Sequence, residues 1–250
     1  MTHPIHIGVG GWTFEPWRGV FYPEGLVQKR ELEFASRALT SIEINGTYYS
    51  TFKPDSWIKW RDETPDDFVF SVKASRYCTN HKVLSEGKES FDRFLDQGLT
   101  ALGDKLGPIN WQFMATKKLD AEDFEGFLKL LPKEKDGLRL RHALEVRNAS
   151  FETQQFYDLA AKYGCAIIYA EDEEAPEWPR IDQETSDFRY ARLMSSREDE
   201  PAGLTDSELG AVATRARDWA RRGEVFAYFI SGAKVRNPAA AQALIERLKA

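Results

Sequence analysis

Glu43, Asn45, Lys73, Gln112, Glu145, Arg147 and Arg192 each stand within or at the end of a short run rich in β-branched and aromatic residues. In SIEIN, Ile42 and Ile44 alternate with Ser41, Glu43 and Asn45, and in FVFSVK, Phe68, Phe70 and Val72 alternate with Val69, Ser71 and Lys73. The two-residue period of a strand sends these two sets to opposite faces. INWQF, HALEVR and FRYARL repeat the pattern with Asn110 and Gln112, with Glu145 and Arg147, and with Tyr190 and Arg192. Unpaired charge is costly to bury, so several strands that each end polar on one face predict a shared pocket.

In such a pocket Glu43 or Glu145 can move a proton, because a partly buried carboxylate beside cations has its proton affinity tuned in either direction. Arg147, Arg192 and Lys73 would hold an anionic group. The same groups can instead pair with one another and plug the site. Lys73 shares a strand-end position with imine-forming lysines, but beside Glu43 it is expected to stay protonated and to be a poor nucleophile. Glu43, Glu145, Asp172 and His81 are of metal-ligating types; the three cations would repel a divalent ion, so neither a metal nor another cofactor is expected. Tyr48, His81, Asp172 and Trp12 complete the candidate ligand-binding set. Trp12 lies nearest the end of the first strand, ahead of an aromatic loop with Phe14, Trp17, Phe21 and Tyr22 that either offers flat faces or anchors itself.

These residues need a scaffold that gathers strand ends. Strand-like runs recur at 5–10, 41–45, 68–73, 109–113, 142–147, 166–171, 188–193 and 225–230. Segments of helical period fill 29–39, 55–63, 90–102, 121–131, 153–163, 206–222 and 238–248, and only the sixth connection, EDEEAPEWPRIDQETSD, lacks a regular helix. Alternation of this kind predicts parallel strands, and about eight units close on themselves. The expectation is one TIM-type (β/α)₈ barrel over residues 1–250, an open doubly wound sheet being the lesser alternative. The polar set then lies at the C-terminal mouth, where barrel enzymes build their sites. After the eighth strand, Ser231, Gly232, Lys234 and Arg236 suit an anion, and Asn237 is placed to cap a helix beginning at Pro238.

The 42% apolar and 13% aromatic residues among 250 supply a large core, and 30% charged residues oppose a membrane protein. A net charge of -6 opposes generic attraction to nucleic acid, which would need a local basic patch to overcome the overall field. Cys78 and Cys165 are expected to be reduced thiols, too distant to bridge. MTHPIHIGVGG lacks the regions of a signal peptide, so a cytoplasmic location is expected.

GVGGWTFEPWRGVFYP, EINGTYY, FSVKASRYCTNH and EVRNASF together resemble the YecE-like family, domain of unknown function seventy-two, across nearly the whole chain. The resemblance implies a TIM-type barrel and carries no activity. Departures from the family pattern fall at Asn80, where Thr is usual, and at Phe113-Met114, where Leu-Pro is usual. Leu193-Met194-Ser195 replaces a segment with a His-Gly pair, and Ile230-Ser231 replaces an Asn pair. The leading expectation is an enzyme acting on a small polar anionic ligand. A non-catalytic small-molecule binding barrel and a nucleic-acid-processing barrel are the alternatives.

Overall fold

The apolar runs pair in the order in which they occur in the chain. In the computed structural model, which describes residues 2–249, β1 (Ile5–Gly10), β2 (Ser41–Ile44), β3 (Val69–Lys73), β4 (Leu106–Gln112) and β5 (His142–Glu145) form consecutive parallel ladders. The sixth strand, β6, has two pieces, Ala166–Ile167 on β5 and Tyr169–Glu171 on β7 (Phe188–Leu193). Ile168 bridges the pieces by donating its N–H to Leu144 O at 2.9 Å. β8 (Glu224–Phe229) joins β7 to β1, so eight strands close a barrel.

The outer layer consists of α1 (Glu31–Ala38), α2 (Pro54–Glu63), α3 (Arg76–Thr79), α4 (Lys88–Leu95), α5 (Ala121–Lys129), α6 (Gln154–Lys162), α7 (Asp206–Ala220) and α8 (Asn237–Lys249). Side-chain caps start four of them: Ser75 at α3, Asp120 at α5, Thr153 at α6, and at α7 a reciprocal box of Thr205 and Glu208. The helical period over 90–102 resolves into α4 and a separate 3-10 stretch at Leu99–Lys105. The connection from β6 to β7 forms no helix; Pro176 and Pro179 remove backbone donors there, and Ile181 is buried instead. A hairpin absent from the strand forecast, Glu134–Lys135 with Leu138–Arg139, turns on Asp136 and Gly137, both left-handed at φ 51 and 79.

Two apolar regions result. One lies between strands and helices, with Trp17, Trp57, Trp111 and many phenylalanines at its centre. The other fills the barrel axis with Ile168, Phe188, Tyr190, Met194, Phe226, Tyr228 and Ile230. Strand packing near the axis leaves no space beside Gly8, where a Cβ would lie 1.8 Å from Ser41 O of β2. Gly8→Ala is therefore expected to cost about 3 kcal/mol or more, since β1 must move away from β2. A urea midpoint within error of the wild type would contradict that closeness.

Candidate functional site

Inward alternation stacks polar groups in two levels along the axis. At the lower level, Tyr228 Oη lies 2.7 Å from Ser41 Oγ and 2.6 Å from Ser71 Oγ, joining β8, β2 and β3. One step towards the mouth, Arg192 of β7 lies between two carboxylates. Its Nη1 donates to both oxygens of Glu145 at 2.9 and 2.8 Å, and its Nη2 donates to Glu43 Oε1 at 3.2 Å. Asn110 Nδ2 bridges the same pair, at 3.1 Å from Glu43 Oε2 and 3.2 Å from Glu145 Oε2. Tyr190 Oη donates to Glu43, and Gln112 Nε2 donates to Glu145 Oε1 at 2.7 Å. Arg147, two residues past the end of β5, adds Nε and Nη2 on the same Oε1, at 2.8 and 2.6 Å.

The sequence-derived residues thus converge from several strands, but as a packed network. Glu43, Asn110 and Glu145 are 0% exposed and Arg192 is 2% exposed. Burial alone would push the Glu145 carboxyl up; Arg192, Arg147, Lys73 and the Gln112 hydrogen bond outweigh it and hold it well below the usual carboxylate range. The Arg192 guanidinium, disfavoured by burial, is held charged by Glu145 and Glu43. Each of the four carboxylate oxygens accepts at least one hydrogen bond within this network.

Lys73 does not pair with Glu43 as expected. With Arg192, Asn110 and Tyr190 occupying Glu43, no ion pair or hydrogen bond engages Lys73 Nζ among the described residues. Its amine instead lies 4.5 Å from the centroid of the Tyr48 ring, and it is not sealed from solvent. Burial and then Arg192 lower its pKa to about 8, against opposing pulls from Glu145 and Glu43. Tyr48 completes this side of the mouth; burial chiefly raises its hydroxyl pKa, while nearby Arg147 lowers it. Arg147 stacks 4.0 Å above the Trp178 ring, and its Nη1 is likewise unengaged and not sealed from solvent. Asn45, just past β2, keeps a buried Oδ1 without a partner among the described residues, with its Nδ2 against Gly10.

Other candidates lie elsewhere. Trp12 packs edge-on against Trp60, at 5.1 Å between centroids, and against Phe70, so it serves the outer layer and not the axis. Trp17 and Tyr22 are buried in the same loop, which anchors itself. His81 pairs with Ser90 Oγ at 3.1 Å beside a 420 Å³ cavity outside the carboxylate network. Asp172 closes a turn by accepting the Glu174 N–H at 3.0 Å. Cys78 and Cys165 are buried free thiols, each pushed up to about 12 by burial. Among the described residues, no group of three or more His, Cys, Asp or Glu side chains is arranged to hold a metal, and no helix is long and apolar enough to cross a membrane.

The loop after β8 does not form the forecast anion cradle. Lys234 lies 4.2 Å over Phe14, and Arg236 donates to Glu198 O at 3.0 Å. Asn237 is the first residue of α8 and not its cap; its Nδ2 reaches back to Ser231 O at 3.1 Å. Met194 and Ile230, at the two largest departures from the family pattern, are buried in the axial cluster and make that side of the mouth apolar.

Comparison with known proteins agrees with this architecture. A model described as "Protein of unknown function DUF72" matches residues 6–250. The chain belongs to that family. YecE of Escherichia coli K12, a UPF0759 protein, is 29% identical over 150 residues, 59% of this chain and 50% of YecE. YunF of Bacillus subtilis is 26% identical over 159 residues, 62% of this chain and 54% of YunF. The chain thus spans about half the length of these curated relatives. A solved DUF72 protein from Thermotoga maritima superposes with a TM-score of 0.77 at 24% identity, covering 99% of this chain and 98% of its own; one from Enterococcus faecalis gives 0.75 at 16%, with the same coverage. At these identities the likeness shows the fold: a TIM-type barrel.

Proposed function

We propose that this DUF72 protein acts on a small anionic metabolite at the β3–β5 side of the barrel mouth, with Lys73 as its acid–base group. One observation carries the reading: three cations face two carboxylates, and the carboxylates' oxygens are already taken. Lys73 Nζ and Arg147 Nη1 are donors left over from that network, both near Tyr48. Two such donors suit a phosphate or carboxylate, each charge-assisted bond contributing about 1.5–3 kcal/mol. A lysine titrating near 8 suits proton transfer at neutral pH.

The test is a thermal melt with phosphate, sulfate or glyoxylate, on the wild type and on Lys73→Met. Binding that uses the ammonium is expected to weaken as pH rises through 8, by roughly a hundredfold between about pH 7 and pH 10. Lys73→Met should remove both the shift and its pH dependence. An anion shift that is the same in Lys73→Met would move the ligand away from this site.

A further inference from the structure

We propose that Lys73 is a covalent nucleophile, forming an imine with the carbonyl carbon of a small oxo acid or aldehyde whose anionic group sits at Arg147. This rests on the anion-binding reading above and deepens it. Lys73 is the last residue of β3, so its amine reaches the mouth from a rigid strand end, with its carbonyl tied to Thr47 Oγ1 at 2.5 Å. The nearby carboxylates, which would otherwise neutralise an ammonium by pairing with it, are held by Arg192, Asn110, Tyr190, Gln112 and Arg147. A single amine is thereby left without an ion-pair partner among these groups, in contact with solvent and over the Tyr48 ring.

The chemistry balances without an oxidant or reductant. The neutral Nζ lone pair attacks the carbonyl carbon, the C=O π bond breaks, and the oxygen takes up a proton as the nitrogen releases one, to give a neutral carbinolamine. Expulsion of that oxygen as water, after a second protonation, leaves the C=N⁺ bond. Burial assists the first step by keeping more of the amine neutral. At about pH 7.5 a lysine titrating near 8 carries on the order of a hundredfold more free amine than one at the usual ~10.4, and its lower basicity reduces the rate advantage to roughly tenfold.

Reductive trapping tests it. The whole protein is incubated with glyoxylate and cyanoborohydride, which delivers hydride to the iminium carbon and fixes a carboxymethyl group on the nitrogen, and labelled lysines are located by peptide mass spectrometry. Lys73 is expected to label roughly tenfold faster than the exposed Lys29 and Lys53, with a rate that levels off above about pH 8, and Lys73→Arg should lose this fast site while keeping the charge. Labelling of Lys73 no faster than of Lys29, or a rate still climbing beyond about pH 10, overturns the proposal. Propanal, which is neutral, separates the two readings. Equal labelling of Lys73 by propanal and glyoxylate keeps the imine and removes the anion preference; stabilisation by glyoxylate without trapping keeps anion binding and removes the imine.

Discussion

Arg192→Met is expected to lower unfolding stability by about 3–5 kcal/mol at pH 7, the scale for breaking a buried ion pair by removing one partner. The methionine fills much of the volume, so the loss reports charge and not a cavity. Glu145 would keep Arg147, but Glu43, 0% exposed, would keep only Asn110 and Tyr190 beside a second carboxylate. The sign with pH follows. In the wild type Glu145 titrates below its unfolded value, so its contribution is present above the usual carboxylate range and lost as pH falls through the lowered folded value. In the variant two buried carboxylates face one another without their shared cation, so uptake of a proton relieves the repulsion. The difference between wild type and variant should therefore narrow between about pH 7 and pH 4.5 in urea titrations. A second change, Glu145→Gln, should recover about 1 kcal/mol or more by removing one of the stranded charges. A single-variant loss below about 1 kcal/mol at pH 7 would show that the network does not hold the barrel mouth together.

How much of this was readable in the chain depends on which contacts are local. The two-residue alternation in SIEIN, FVFSVK and FRYARL correctly sent Glu43, Lys73 and Arg192 to one axis, because the pleat fixes facing direction within a strand. Pairing is different. Glu43 meets Tyr190 across 147 positions and Arg192 across 149, and no spacing rule decides whether a carboxylate chooses arginine, tyrosine or lysine. The sequence reading therefore gave Glu43 to Lys73, whereas Arg192, buried between the two carboxylates, reaches Glu43 through Nη2 while Nη1 holds Glu145. Trp178 was missed because it lies in the one connection without helical period, although that irregularity itself marks a loop free to lay a ring over Arg147. Asn237 carried a good capping signal, and the 3-10 turn Lys234–Arg236 shifted the helix start by a residue, turning the cap into a tether for the left-handed Ser231. Asp136-Gly137, by contrast, was a legible hairpin turn that the strand pattern passed over because its strands have only two residues each.

Lys73→Met is expected to stabilise the protein at pH 7, by about 1–3 kcal/mol. A lysine lowered from its ordinary 10.5 to about 8 has its ammonium penalised in the folded state, and a shift of that size corresponds to about 3 kcal/mol at 1.36 kcal/mol per unit. From this about 0.5–1 kcal/mol is subtracted for the lost contact with the Tyr48 face. Burial sets most of that penalty, Arg192 and Arg147 add to it, and Glu145 and Glu43 offset part of it. Between pH 8 and 10.5 the folded protein binds fewer protons at Lys73 than the unfolded chain does, so wild-type stability should gain from this residue as pH rises through that window. The cost is fully present below pH 8. Methionine abolishes the titration, so the variant's stability curve should be flatter between those limits and should meet that of the wild type near the upper one. A saturating anion should narrow the gap from the other side, by pairing with the ammonium and lifting its pKa. Stability gained by deleting a polar side chain is the pattern of a residue kept for chemistry at the expense of the fold. If Lys73→Met is instead neutral or destabilising at pH 7, with the slope above pH 8 unchanged, Lys73 bears no such burden and its assignment as the titrating group of the mouth falls.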